Sequence, residues 1–148
     1  MTTTTAVADP VRAVARVLRG STSVLSLVGN DRKRIFMDDF DDTTPIEVGE
    51  QARSAVIVRL VGADADASYL PVNGFAIDVL TYGQDAAEAR RLALTVMHTL
   101  KHEGTSKSNR GELLYSLSLR NGPISIRDTR SGWRYCVQSW LALMGDSG

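Results

Sequence analysis

Between residues 85 and 104 apolar side chains recur at helical spacing. Ala89, Leu92, Ala93, Val96, Met97 and Leu100 fall on one face, while Glu88, Arg90 and Arg91 stay off it. Asp85, three residues before Glu88, predicts a capping-box start with a carboxylate in place of the usual serine or threonine. Gly104 predicts the end of this helix, after about His102. A shorter pattern opens the chain, with Asp9 as N-cap and Pro10 at the first helical position. Val11, Val14, Val17 and Leu18 share its apolar face, Arg12, Arg16 and Arg19 lie opposite, and Gly20 stops it. "STSVLSLVGN" then predicts one or two helical turns, capped by a serine or threonine and ended at Gly29-Asn30.

The remaining apolar runs carry strand signatures. "IFM" after Arg32–Arg34 is a short strand, and "SAVIVRLVG" (54–62) is β-branched and nearly continuous, as in a largely buried strand. "NGFAIDVLTYG" sets Phe75, Ile77 and Val79 against Ala76, Asp78 and Leu80, a period of two. "LLYSLSLRN" alternates with Leu113, Tyr115, Leu117 and Leu119 on one face; "GPISIRDTRSG" bends and continues it. "WRYCVQSWLALM" is a last long strand, joined to the previous one through a hairpin turn at 128–132. Residues 38–50, 63–72 and 103–111 read as loops, and 1–8 as a frayed, flexible N-terminal tail. The expected order is helix, short strand, two strands, helix, two strands, in a single domain over 9–145. No internal repeat and no linker divides it.

Composition narrows the function classes. The chain has 148 residues, 43% of them hydrophobic, enough for one core. Seventeen basic and seventeen acidic residues sum to zero, which argues against a protein held to nucleic acid or anionic lipid by bulk charge. One cysteine, Cys136, excludes an internal disulfide and a cysteine zinc cage; mid-strand among apolar neighbours, it reads as a small core residue. "MTTTTAVADP" has neither the basic nor the apolar region of a signal peptide, and no apolar run is long enough to span a bilayer. A soluble protein made in the cytoplasm, with no membrane partner, is expected.

Three constellations bear on chemistry. His98 and His102, at i and i+4 in "HTLKH", have the spacing to share a metal. The zinc-protease motif, however, needs glutamate where Thr99 stands, and no third ligand lies at a recognisable spacing. The reading preferred is a helix ending, with Lys101 and His102 as cations suited to the last turn. No nucleophile motif and no phosphate-cradling glycine loop is present, so neither an enzyme nor a cofactor is expected. Trp133, Tyr135 and Trp140 have the ring types of a base-stacking surface, but Trp133 and Tyr135 share a face and Trp140 lies on the other. Core or interface packing is the better account.

The third constellation is a separation of charge. Residues 38–50 hold six acids (Asp38, Asp39, Asp41, Asp42, Glu47, Glu50) and no base. Residues 101–134 hold seven lysines and arginines against three acids. Both regions fit solvated loops. They also fit a head-to-tail contact, the acidic segment of one protomer facing the basic strands of the next, which generates a ring when the rotation closes.

In order and residue type these segments resemble the small tail-completion proteins of long-tailed bacteriophages, the tail terminators and their head-tail joining relatives. The opening helix "VRAVARVLRG" runs through "LSLVGN" to "RIF". "SAVIVRLVG" follows as the first long strand. "FAIDVLTYGQDAAEARRLALTVMHTLKH" matches the family's strand-turn-helix unit, and "ISIRDTRSGWRYCVQSWLAL" its closing element.

That resemblance implies an α+β fold, a mainly antiparallel sheet with two main helices packed on it. It also implies a homo-oligomeric ring, usually a hexamer, that caps the tail tube, ends tube polymerisation and joins the head connector. The protein would then be a structural component of the virion tail or neck, partnered by the tube protein and the connector rather than by sequence-specific nucleic acid. Ring contacts are expected from Asp38, Asp39, Asp41 and Asp42 against Arg120, Arg127 and Arg130, and tube or connector contacts from Lys107 and Arg110 on the loop. The alternatives are another neck, head-completion or minor tail protein, or a small α+β nucleic-acid-binding module, which would need a sheet basic on one side.

Overall fold

The computed structural model describes residues 9–38, 47–48, 51–52, 54–63, 72–107, 113–127 and 133–145. Helix α1 (Pro10–Arg19) starts where Asp9 Oδ1 accepts the backbone N–H groups of Val11 and Arg12 at 3.0 and 3.3 Å. A cap of this kind contributes about 1 kcal/mol. Gly20 N–H returns to the carbonyls of Arg16 and Val17 and closes the helix. Helix α2 (Thr22–Leu27) takes Ser21 as its cap, with Val24 N–H donating to Ser21 Oγ at 3.4 Å. A single 3₁₀ turn (Arg32–Arg34) then delivers the chain to β1 (Ile35–Met37).

Strands β4 (Ala55–Ala63), β5 (Val72–Gly83), β6 (Leu113–Arg127) and β7 (Arg134–Gly145) join β1 in a five-stranded sheet of order β1-β4-β5-β7-β6. Only β1–β4 is parallel; the other pairings are antiparallel. The fold is therefore a single α+β domain with a mainly antiparallel sheet and three helices, two of them long. The parallel edge follows from connectivity, because β1 enters from the helical layer and not from a hairpin. Two short strands, β2 (Glu47–Val48) and β3 (Gln51–Ala52), pair antiparallel as a separate ribbon. Part of the stretch expected to be loop is thus paired backbone.

Helix α3 (Ala86–Lys107) crosses the sheet between β5 and β6. Its capping box forms as the sequence predicts: Glu88 N–H donates to Asp85 Oδ1 at 2.8 Å, and Gln84 N–H to Glu88 Oε2 at 3.0 Å. The helix does not stop at Gly104 but continues to Lys107. One glycine inside a helix costs about 1 kcal/mol relative to alanine, which a long packed helix tolerates. Lys101 and His102 are therefore a turn or more from the C-terminus, and "HTLKH" is not the helix ending. Lys107, expected on a loop, is the last helical residue.

Helices α1 and α3 pack on one sheet face, and α2 packs against both of them. Val56 and Val58 from β4, Ile77 and Val79 from β5, and Trp140, Ala142 and Met144 from β7 meet Val14, Leu18, Leu92, Val96 and Leu100 in one core, all essentially without solvent exposure. The alternate residues form a second cluster on the opposite face. There Phe36, Ala55, Ile57, Leu80 and Tyr82 are buried and Trp133, Tyr135 and Val137 pack beside them. Trp140 and the Trp133/Tyr135 pair thus lie on opposite faces, as their parity requires.

Two close approaches hold this arrangement. A Cβ on Gly83 would lie 2.5 Å from Ala89 N, so only glycine lets the end of β5 turn under the start of α3. Gln138, 1% exposed, donates from Nε2 to the Ala93 carbonyl of α3 at 2.9 Å and accepts the Trp140 indole N–H on Oε1 at 2.8 Å. One amide thereby ties helix to strand and satisfies the largest buried ring. Replacing it, Gln138→Ala, strands the indole N–H and opens a void, a loss of about 2–4 kcal/mol by the usual penalties. A thermal melt checks this; a loss below about 0.5 kcal/mol would mean that the indole finds another acceptor.

Candidate functional site

Charge, rather than a cleft lined with reactive groups, is what the described surface presents. At one edge of the sheet β1 is anchored by two arginines. Arg19 Nη2 donates to the Ile35 carbonyl at 2.6 Å, and the buried Arg34 donates from Nε to the Ser54 carbonyl at 2.7 Å. Burial lowers the Arg19 pKa, but it begins so high that the guanidinium stays charged. Asp38 follows at the end of β1, exposed, its N–H donating to the Val58 carbonyl at 2.8 Å. Its φ of 71° is a left-handed conformation that aspartate tolerates better than most residues. The acidic segment therefore departs from the β1 edge. Asp39, Asp41 and Asp42 lie outside the described residues, as do Arg130 and Arg110.

At the opposite edge, β6 ends in Arg127, placed in register with Arg134 of β7. Both are exposed. Their side chains fall on the helical face of the sheet, because Ser125↔Cys136, one step of two away, belongs to that face. Ala89 and Ala93 of α3 pack on Cys136, and the charge of Arg90 reaches the same thiol. Arg127 and Arg134 thus stand together at one corner, where the N-terminal part of α3, which carries Arg90, meets the end of the β6–β7 pair. Arg120 does not join them. It sits at a bulge between Leu119 and Asn121, beside the Trp140–Ser139 step of β7, about five residues or 17 Å along the strand from Arg134. Of the three arginines expected to act together, the structure separates Arg120 from Arg127.

Arg90 and Arg134 were not picked out by the sequence reading. A signal for Arg134 was present: residues that flank a hairpin turn come face to face, and Arg127 and Arg134 flank 128–133. For Arg90 there was none, since only the packing of α3 brings it to this corner.

The sheet face away from the helices carries a polar row across its middle. Arg59 Nη2 lies 3.9 Å from Asp78 Oδ2, and Ser139 Oγ donates to Asp78 Oδ1 at 2.7 Å. Arg59, Asp78 and Ser139 are register partners on neighbouring strands. To one side lie the apolar row Ile57, Leu80, Val137 and Ile124 and the ring cluster of Tyr82, stacked on Tyr135 at 5.0 Å and edge-on to Trp133 at 6.2 Å. This described face is apolar with a partly neutralised polar row, not the one-sidedly basic sheet that a nucleic-acid-binding module would need.

The histidine pair is exposed, its ring centroids 4.4 Å apart. Among the described residues no three histidine, cysteine or carboxylate side chains gather as a metal site. His98 also lines an open groove of about 550 Å³ on the outer side of α3, together with Ser23, Arg90, Arg91 and Leu94. Among the described residues no helix is long and apolar enough to cross a membrane.

No protein-family model matches this chain, and no curated protein does. Solved structures do. A chain from the virion of a native gene transfer agent particle superposes with a TM-score of 0.57 at 21% identity, over 92% of this chain and 94% of that one. The gp17 protein of bacteriophage SPP1 matches with a TM-score of 0.46 at 12% identity, over 93% of this chain and 89% of its own. The first of these shares its fold with this chain along nearly the whole of both chains.

Cys136, 2% exposed, reads the same way in sequence and structure. Burial raises its thiol pKa, only partly offset by a hydrogen bond with Ser125 and the charge of Arg90. A raised pKa and a closed environment both suppress the thiolate. The folded protein should therefore resist maleimide at neutral pH and react with one equivalent after denaturation. Rapid labelling of the native state would show that α3 lifts readily from β7.

Proposed function

We propose that this chain is a structural protein of a phage-like virion, a tail terminator that assembles into a ring, caps the tail tube and offers the joint to the head connector. The observation that carries the proposal is the fold shared with a gene transfer agent virion chain, which leaves almost nothing of either chain over. The order of segments in the sequence points to the same family. Function in such a protein is binding: a terminator reproduces one side of the tube's repeated interface and withholds the other.

The placement of charge supports a ring. The acidic segment leaves the sheet at β1 and the basic residues cluster toward β6, at opposite edges of the sheet. Four strand spacings, about 19 Å, separate those edges. Patches so placed suit a contact between copies, head to tail, which is the geometry that closes into rings. In this reading Asp38, Asp39, Asp41 and Asp42 face the basic side of the next protomer, Arg120, Arg127 and Arg130 among it. Lys107, at the end of α3, and Arg110 beyond it are the candidates for tube or connector contact. The number of subunits expected is six, and the place of action is the tail or neck of the particle.

Light scattering on purified protein, across concentration and salt, tests the ring. The expected result is a closed oligomer near six subunits that weakens as salt screens the joint. Replacing the four aspartates with asparagine should lower the oligomer mass and flatten its salt response. An unchanged mass and salt profile would overturn the charge-paired joint.

A further inference from the structure

Resting on the ring reading above, we infer that the basic half of the joint is the corner formed by Arg90, Arg127 and Arg134, and that its occupant is the acidic segment beginning at Asp38 of a second copy of this chain. Arg127 and Arg134 stand directly opposite each other on adjacent antiparallel strands. Like charges so placed destabilise a sheet. Among the described residues neither meets a carboxylate. Arg90, one turn into α3, directly follows Ala89, which packs on Cys136, two residues from Arg134 on the same sheet face. Asp85 and Glu88, at the start of α3, each accept a backbone N–H in the capping box. Arg120, by contrast, already takes part in an interaction within the chain. Among the described residues nothing relieves this repulsion, and an anionic partner would relieve it.

Charge complementarity selects that partner. Residues 38–42, "DDFDD", place four carboxylates and one phenyl ring in five positions. They follow β1, at the sheet edge farthest from the corner, so a head-to-tail second copy brings the two unlike edges together. The chain's zero net charge fits a joint whose two halves cancel. A nucleic-acid phosphate backbone would also satisfy the corner, but it would leave the acidic segment without a counterpart.

A charge-swap pair tests the assignment. One variant carries R127E and R134E; the other carries D38K, D39K, D41K and D42K. Each alone should fail to assemble, because its two joint halves repel. Mixed in equal amounts they should form rings with the two variants alternating, read by native mass spectrometry as oligomers of even subunit number. Thermal melts of each variant confirm folding. R134Q alone should raise the monomer melting temperature by about 1–3 °C while lowering assembly, since it removes the like-charge pair. A residue of merely structural importance would move both in the same direction.

Failures separate cleanly. A wild-type chain that stays monomeric at every concentration and salt overturns the ring reading and this assignment with it. A wild-type ring that R127E and R134E leave intact overturns only this assignment. So does a variant that keeps its ring but loses affinity for a short DNA duplex, which would make the corner a phosphate-binding surface.

Discussion

The contact between α3 and the central strands β5 and β7 is the constraint on which the rest of the molecule depends. It needs a glycine at position 83, because any Cβ there would occupy the space of the Ala89 amide. It needs small residues at 89 and 93 where the helix rides over Cys136. Gln138 then pins the helix at the Ala93 carbonyl while holding the Trp140 indole, so the largest ring in the core is buried without an orphaned donor. With α3 seated, α1 closes the core from the side, and Ser21 at the head of α2 lies 3.4 Å from Thr99.

That seating also determines the electrostatic character of the surface. Arg90 is an ordinary exposed helix residue until α3 is laid across the sheet; it then stands over the corner where β6 and β7 end. Arg127 and Arg134 are seven positions apart in the chain, yet the hairpin sets them in register. The opposite edge is built from different elements, the arginine-anchored β1 and the acidic segment that leaves it. One sheet thus sets Asp38 and the paired arginines at opposite edges. In the ring proposed above, these unlike edges would form the head-to-tail contact. The second sheet face, with its tyrosine stack and its Arg59–Asp78–Ser139 row, is more apolar than charged and contributes shape rather than polarity to that layout.

Local signals mislead where they meet non-local packing. Gly104 reads as a helix stop because glycine ends many helices, yet α3 passes through it to Lys107. A long helix already held by a buried face can absorb one weak residue. The histidines of "HTLKH" consequently lose their role as a helix ending and become two exposed rings in a helical stretch beside a groove. The segment 38–50 reads as pure loop for lack of apolar periodicity, whereas Glu47–Val48 pairs with Gln51–Ala52; ribbons of two-residue strands leave no period to detect.

Periodicity alone determined most of the secondary structure. The 3.6-residue spacing of α3 and the two-residue alternation of β5 and β7 follow from which side chains must be hidden, and this is written locally. Aspartate and serine caps, the opposed parity of Trp133 and Trp140, and the burial of Cys136 were legible for the same reason. Strand order, the parallel β1–β4 edge and the exclusion of Arg120 from the basic corner were not. These depend on which hidden faces meet across long stretches of chain, and on registers altered by bulges that no local pattern announces. Charge content could be read in one dimension; charge proximity required three.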